Sequence, residues 1–191
     1  MKNCQSIETA RLRLRQWKPA DLAPFAELNA SSIVMKYFPR TLGQDESDAL
    51  ANRFKLLIEA NGWGMWALER KVDGLFMGFV GLHQPSYLLP VSPCFEIGWR
   101  LGVEYWGQGY ATEAASAALA FGFGELALED IYSFTAKRNI KSIAVMRRLK
   151  MENTGGNFNH PLVSVDSSLS EHVLYHIDYD TWSQSKINTK L

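Results

Sequence analysis

Glu96 is the first residue in this chain whose surroundings suggest chemistry. It lies in the run Cys94 to Leu101, where Phe95, Ile97, Trp99 and Leu101 alternate with Glu96 and Arg100. That period of two predicts a strand with an apolar face and a polar face. A carboxylate so placed can take a proton from an incoming nucleophile. Directly downstream lies a stretch suited to holding an anion, with glycine at 102, 107 and 109 and then an alanine-rich helical run, Tyr110 to Phe121. A helix start leaves backbone N–H groups unpaired and carries about half a positive charge, and glycines there keep Cβ atoms out of an anion's way.

Three phosphate ligands compete for this strand, loop and helix. A nucleotide P-loop requires Lys and then Ser or Thr after its last glycine. Gly102 and Gly107 have the spacing, but Gln108 and Gly109 follow. A dinucleotide fingerprint would use Gly107 and Gly109, yet Thr112 stands at the third glycine position, and the stretch lies past mid-chain rather than in a first βα unit. The third ligand is the pyrophosphate of coenzyme A. The residues WGQGYATEA (Trp106 to Ala114), after a strand reading EIGW, resemble the acetyl-CoA loop of the GNAT superfamily of N-acetyltransferases. The branch most similar is RimJ/RimL-like, named for enzymes that acetylate N-termini of ribosomal proteins. The family's Q/R-x-x-G-x-G/A falls on Trp106, Gly107, Gln108, Gly109, Tyr110 and Ala111, with Trp106 in place of the general Gln or Arg. A second block, NIKSIAVMRRLKM (139 to 151), resembles the family's N-x-x-S/A segment. Asn139 and Ser142 match it, whereas Lys150 replaces a usual glycine and puts the helix end in doubt.

The resemblance spans about residues 8 to 180 and implies a single N-acetyltransferase domain over 1–191. It implies an α/β fold with a mixed, mostly antiparallel sheet of six or seven strands, helices on both faces, and a central strand splayed from Asp130–Ala136. Backbone groups of Ile97, Gly98, Trp99, Arg100 and Leu101 would hold the pantetheine, with Asn139 and Ser142 as further coenzyme contacts. An N–H near Gly98 or Trp99 would polarise the thioester carbonyl. Met146 falls where many relatives have a tyrosine that protonates the leaving thiolate, so Ser142 or a water must substitute. For the base, Glu96 comes first, then Glu104 and Glu113, with His160 as a further acid or base. The implied reaction moves an acetyl group from acetyl-CoA to a primary amine, such as a protein N-terminus, by direct attack on the thioester. A lysine amine at pKa about 10.4 is neutral at pH 7 only about once in 2,500, whereas an α-amine at about 7.8 costs only about 1.1 kcal/mol to deprotonate. Two alternatives stay open: a small-molecule enzyme acting on a polyamine or antibiotic, and a non-catalytic acetyl-CoA-binding module.

Composition bounds the partners. The 191 residues include 20 basic and 20 acidic side chains, a balance that argues against an extended nucleic-acid surface. Cys4 and Cys94 form no metal-binding spacing, and free thiols suit the cytoplasm. No apolar run reaches membrane-spanning length, so no membrane partner is expected. The partners that the resemblance implies are acetyl-CoA and an amine, with the protein a monomer or homodimer and no metal.

The elements that must position these groups follow in order. Residues 10 to 17 alternate as a half-exposed strand, which puts Arg11, Arg13 and Arg15 on a solvated face. Pro19 opens a helix, and a second runs from about Gln44 to Ala60, with Asp45, Glu46 and Asp48 at its positive end. Two strands meet at Asp73-Gly74, and Trp17, Trp63 and Trp66 are candidates for the core or a pocket wall. Basic residues from Lys137 to Lys150 read as a solvated helix surface or a site for the coenzyme's 3′-phosphate. HVLYHIDYDTW (172 to 182) reads as a last strand, in which His172 and His176 stand about 13 Å apart, too far to share a metal ion.

Overall fold

The computed structural model describes residues 4–187. It has a mixed α/β fold of nine mostly antiparallel strands and five α-helices. In chain order these are β1 (Ile7–Glu8), β2 (Leu12–Arg15), α1 (Leu22–Ala30), α2 (Gln44–Asn61), β3 (Met65–Arg70), β4 (Phe76–His83) and β5 (Glu96–Leu101). Then follow α3 (Tyr110–Gly124), β6 (Asp130–Ala136), α4 (Ile140–Arg148), β7 (Glu152–Asn153), β8 (Phe158–Asn159), β9 (Glu171–Asp178) and α5 (Tyr179–Ile187). The strands exceed the expected six or seven because β1, β7 and β8 are two-residue pairings that periodicity cannot register. Among the described residues no helix is long and apolar enough to cross a membrane.

The chain forms two compact units. The first takes the chain through Leu82 together with Gly98–Ala118. Its β2 pairs antiparallel with β1 and β3, and β3 pairs with β4. Helix α2 buries Ser47, Ala51, Phe54 and Ile58, a spacing of three and four that turns one face inward. The Glu46 carboxylate accepts from the Gly43 N–H at its start, and Gly62 ends it with φ of 87°. Trp17 and Trp66 are core residues, and Trp17 packs on Phe25, Phe54 and Phe76.

Of the three arginines expected on a solvated face, Arg11 and Arg13 keep exposed side chains and Arg15 does not. Arg15 is buried and donates to Asp21 through Nη1 (2.7 Å) and Nη2 (2.8 Å) and to Glu69 through Nε (2.6 Å). Arg13 and Lys18 also reach Glu69. Burial pushes the Glu69 carboxyl up, but the hydrogen bonds from Arg15 and Lys18 outweigh it and hold the group below its usual range.

The second unit takes His83–Ile97 and the chain from Leu119 on. Here β6 pairs with β9 at seven successive positions, from Asp130↔Asp178 to Ala136↔His172. Strand β5 runs parallel to β6, with Glu96 paired to Tyr132. β9 stops at Asp178 rather than continuing to 182, because the Asp178 carboxylate accepts from the Thr181 N–H (2.7 Å) and caps α5. At the end of α4, Lys150 itself adopts φ of 65°. Its N–H donates to Arg147 and that of Met151 to Met146, a Schellman ending without glycine.

Candidate functional site

In the first unit, β5 leads through a 3₁₀ turn, Val103–Tyr105, into the glycine loop and α3. Gly107 and Gly109 have φ of 74° and 81°, a left-handed conformation that side chains resist. A Cβ at Gly107 would meet nothing within 4 Å, and one at Gly109 only Arg11 Nη2 at 3.5 Å. The first helical bond runs from Glu113 N–H to Gly109 C=O, so the N–H groups of Tyr110, Ala111 and Thr112 have no partner within the helix. The loop's own side chains brace it. Trp106 Nε1 donates to the Leu101 carbonyl (2.9 Å), a bond that gives tryptophan a reason to stand at this position. Gln108 Nε2 donates to the Glu104 carbonyl (2.8 Å). Open space before unpaired N–H groups fits a diphosphate.

Arg11, exposed as the solvated-face reading expected, also lies beside this cradle. Its Nη1 donates to the Gln108 carbonyl (3.0 Å), its Nε to Glu113 Oε2 (2.6 Å), and its guanidinium covers the Tyr110 ring at 4.4 Å. Glu113 also accepts from Thr9 Oγ1 and the Arg11 N–H. Burial raises its pKa, but these bonds outweigh burial and hold the carboxyl below its ordinary range. Glu113 is therefore a clamp between the Thr9–Arg11 segment and α3, with both carboxylate oxygens engaged. Only the chain's long-range folding brings residues 11 and 113 together, so no local signal marks Arg11.

Glu96, in the second unit, is buried, and its Oε2 lies 2.9 Å from His83 Nε2. Burial pushes its pKa up, and the contact with His83 only partly offsets this. A carboxylate raised toward neutrality is the better base at pH 7. His83 is the more exposed partner, at 28% against 12% for the Glu96 side chain. The two form a carboxylate–imidazole pair, which makes His83 a candidate site residue that sequence reasoning missed. Its signal was a lone histidine ending a hydrophobic strand.

Asn139 caps α4: Oδ1 accepts from the Ser142 N–H (3.3 Å) and Nδ2 donates to Thr135 Oγ1 (2.9 Å). Among the described residues the Ser142 hydroxyl has no hydrogen-bond partner and is free to act. Met146 is fully enclosed in the core, so no side-chain acid stands at that position. His160 is not positioned as a base. Its Nδ1 accepts from the Leu162 N–H (3.2 Å), which places the proton on Nε2, 3.2 Å from the Tyr87 hydroxyl. Burial and the neighbouring His172 lower its pKa to about 4.

Ile97 and Leu101 turn buried side chains inward, leaving only backbone for a ligand, and the Leu101 carbonyl is already taken by Trp106. Gly98 and Trp99 are partly exposed. Glu104 is exposed and lines a cleft of about 540 Å³ with Arg15, Lys18 and Glu69. No residue of the 107–109 loop lines that cleft. Arg138, Lys141, Arg147, Arg148 and Lys150 are exposed, as a solvated surface requires.

Residues 11–152 match the family model described as an acetyltransferase (GNAT) domain. The chain is 32% identical over 150 residues to an uncharacterized N-acetyltransferase, YnaD, of Bacillus subtilis, covering 78% of this chain and 84% of that one. It is 31% identical over 184 residues to the FsC-acetyl coenzyme A-N(2)-transacetylase of Aspergillus fumigatus, covering 93% and 77%. Among solved structures, an acetyltransferase of the GNAT family from Bacillus anthracis superposes with a TM-score of 0.78 at 24% identity, covering 92% of this chain and 99% of that one.

Proposed function

Because the chain belongs to the GNAT acetyltransferase family, we propose that it transfers the acetyl group of acetyl-CoA to a primary amine by direct attack on the thioester. The observation that carries this reading is the anion cradle: left-handed Gly107 and Gly109 before the unpaired N–H groups of α3, with Arg11 beside them. The Aspergillus relative, whose name joins acetyl coenzyme A to a nitrogen acceptor, supports the same chemistry. The coenzyme supplies an activated acetyl group and a thiolate leaving group. Backbone N–H groups from Gly107 to Thr112 would hold its pyrophosphate, and Ile97, Asn139 and Ser142 are proposed as further contacts on the resemblance alone.

Glu96, with His83 orienting its carboxylate, takes the proton of the attacking amine directly or through a water. The Ser142 hydroxyl is the proposed donor to the departing sulfur, since Met146 cannot serve. We assign the acceptor to the peptide N-terminus class of the RimJ/RimL-like branch or to small primary amines. The free thiols of Cys4 and Cys94 favour the reducing cytoplasm as the place of action.

The test is acetyl-CoA binding followed by turnover. At a hundredfold excess over Kd, acetyl-CoA is expected to stabilise the fold by about 2.7 kcal/mol, roughly 5 to 10 °C in Tm, with ATP and NAD giving much less. CoA release with a panel of N-terminal peptides, polyamines and aminoglycosides then identifies the acceptor class. Binding without turnover on any amine would make the protein a coenzyme-binding module.

A further inference from the structure

Arg100 is the one side chain of the loop-bearing strand whose charge the reaction above leaves unused. Strand alternation sends it to the face opposite Trp99 and Leu101, toward α1. There its Nη1 donates to Asn29 Oδ1 (2.6 Å), and Asn29 is itself buried and donates to Ser47 Oγ (2.9 Å). The guanidinium lies 4.2 Å from the Phe38 ring centroid and 5.4 Å from that of Phe79. Its Nε is enclosed with no hydrogen-bond partner, and among the described residues no carboxylate comes within ion-pairing distance. Resting on the amine-acetyltransferase reading, we propose that Arg100 binds a carboxylate carried by the acceptor, so that the substrate is an amine bearing an acid group.

Removing a guanidinium from water is costly, and folds normally meet that cost with a paired carboxylate. Here the surroundings are two aromatic faces and a neutral amide, which orient the planar group without neutralising it. Burial draws its pKa down to about 10, which leaves it charged at neutral pH. Asn29, held by Ser47, fixes one edge of the fork. Nη2, which has no partner among the described residues and is not enclosed, is left to donate to an incoming carboxylate in a charge-assisted hydrogen bond.

The coenzyme's phosphates have a separate place in this unit. The 107–109 cradle is served by Arg11 and Glu113, and none of its braces involves Arg100, Asn29 or Phe38. Phe38 lies in the connection between α1 and α2, outside both coenzyme motifs, and is partly exposed. Two anion-binding features in one unit suit two substrates. A polyamine, which has no acid group, is disfavoured by this arrangement.

Matched acceptor pairs test the proposal on the unaltered protein. One arm compares phenylalanine with 2-phenylethylamine, which lacks only the carboxylate. The other compares N-terminal peptides that differ as Asp against Asn at the second residue. A preference of at least tenfold in kcat/KM for the acidic member is expected in one arm, and which arm responds tells a free amino acid from an acidic peptide. Arg100→Met is expected to cost the acidic member at least tenfold more than its neutral partner, chiefly through KM. An active enzyme with no preference in either arm would overturn the inference. So would a matching loss of acetyl-CoA affinity in Arg100→Met, which would assign the guanidinium to the coenzyme, or an equal loss for both members with a lowered Tm, which would make it structural. No turnover with any amine would overturn the transferase reading and this inference with it. The wild-type comparison stands even if the variant fails to fold.

Discussion

Arg15 and Arg100 are both guanidiniums drawn into the first unit, and the fold treats them differently. Arg15 is closed by two carboxylates, Asp21 and Glu69, and by the Gln16 carbonyl. Arg100 has one neutral amide and two rings. The same contrast divides the glutamates. Glu113 accepts from Thr9 and twice from Arg11 and is held below its ordinary pKa, whereas Glu96 has only His83 and is pushed above it. Charges that the chain itself satisfies hold elements together. Charges it leaves partly unsatisfied are the ones proposed above to meet substrates.

The largest effect expected from this division is kinetic. Glu96→Gln keeps the shape and removes the base, and is expected to lower kcat by about 10² to 10⁴ while acetyl-CoA affinity holds. Because the folded pKa of Glu96 is raised, its contribution to stability is fully present below the ordinary carboxylate pKa and declines as pH rises through the raised value. The variant should therefore melt no lower than the wild type at pH 7. The acid limb of the wild-type pH–rate profile should fall above the ordinary carboxylate range and vanish in the variant. A stable, fully active Glu96→Gln would place Glu96 among the closed charges.

Next comes the opposite class. Asp21→Ala leaves Arg15 buried with half its partners, and a loss of about 3–5 kcal/mol is expected, roughly 6 to 20 °C in Tm. Glu69 belongs to the same network, and its depressed pKa gives the pH sign. Its stabilisation is present above the ordinary carboxylate pKa and is lost as pH falls through the lowered value, so Glu69→Gln and wild type should converge in melting temperature in acid. If Asp21→Ala melts like the wild type, the distinction between closed and open charges fails.

Gly109→Val is smaller in reach and acts on the cradle alone. A branched side chain in the left-handed conformation would intrude on the anion's place, and acetyl-CoA affinity is expected to fall at least tenfold by titration while the unliganded protein still folds. Normal binding would remove the loop from the site. The smallest effect is at Lys150. Replacing this left-handed lysine with glycine relieves about 1 kcal/mol of backbone strain, a rise of roughly 2 to 4 °C, with no change in kinetics.

What could be read from the sequence was whatever is written in neighbouring residues. The strand expected over Cys94 to Leu101, the loop glycines, the α3 run and the Asp130–Ala136 strand all follow from short-range patterns, and each is present, the first beginning two residues later at Glu96. Errors arose where partners lie far apart. Arg15 reaches Glu69 across 54 positions and Arg11 reaches Glu113 across 102, so a correctly placed strand showed neither pairing, and Arg15 was given a solvated face. The Glu96–His83 pair spans only 13 positions, but a proline-rich loop interrupts it and hides its geometry. The end of β9 turned on one capping bond at Asp178, which the apolar alternation Val173, Tyr175, Ile177 and Tyr179 obscured.

The cradle at Gly107–Thr112 also has a bearing on how this protein can drift. Its donors are main-chain N–H groups, which nearly every residue supplies, and Gln108 and Trp106 turn their side chains back on the loop rather than toward a ligand. In the proposed reading, affinity for the diphosphate is thus stored in the path of the chain and is largely independent of the alphabet written on it. Ordinary alanine scanning would pass over this region almost silently. Substitutions that delete an N–H, or that add a Cβ where the path turns left-handed, would expose it. A lineage can then replace most surrounding side chains, and with them its choice of acceptor, while inheriting the coenzyme grip intact.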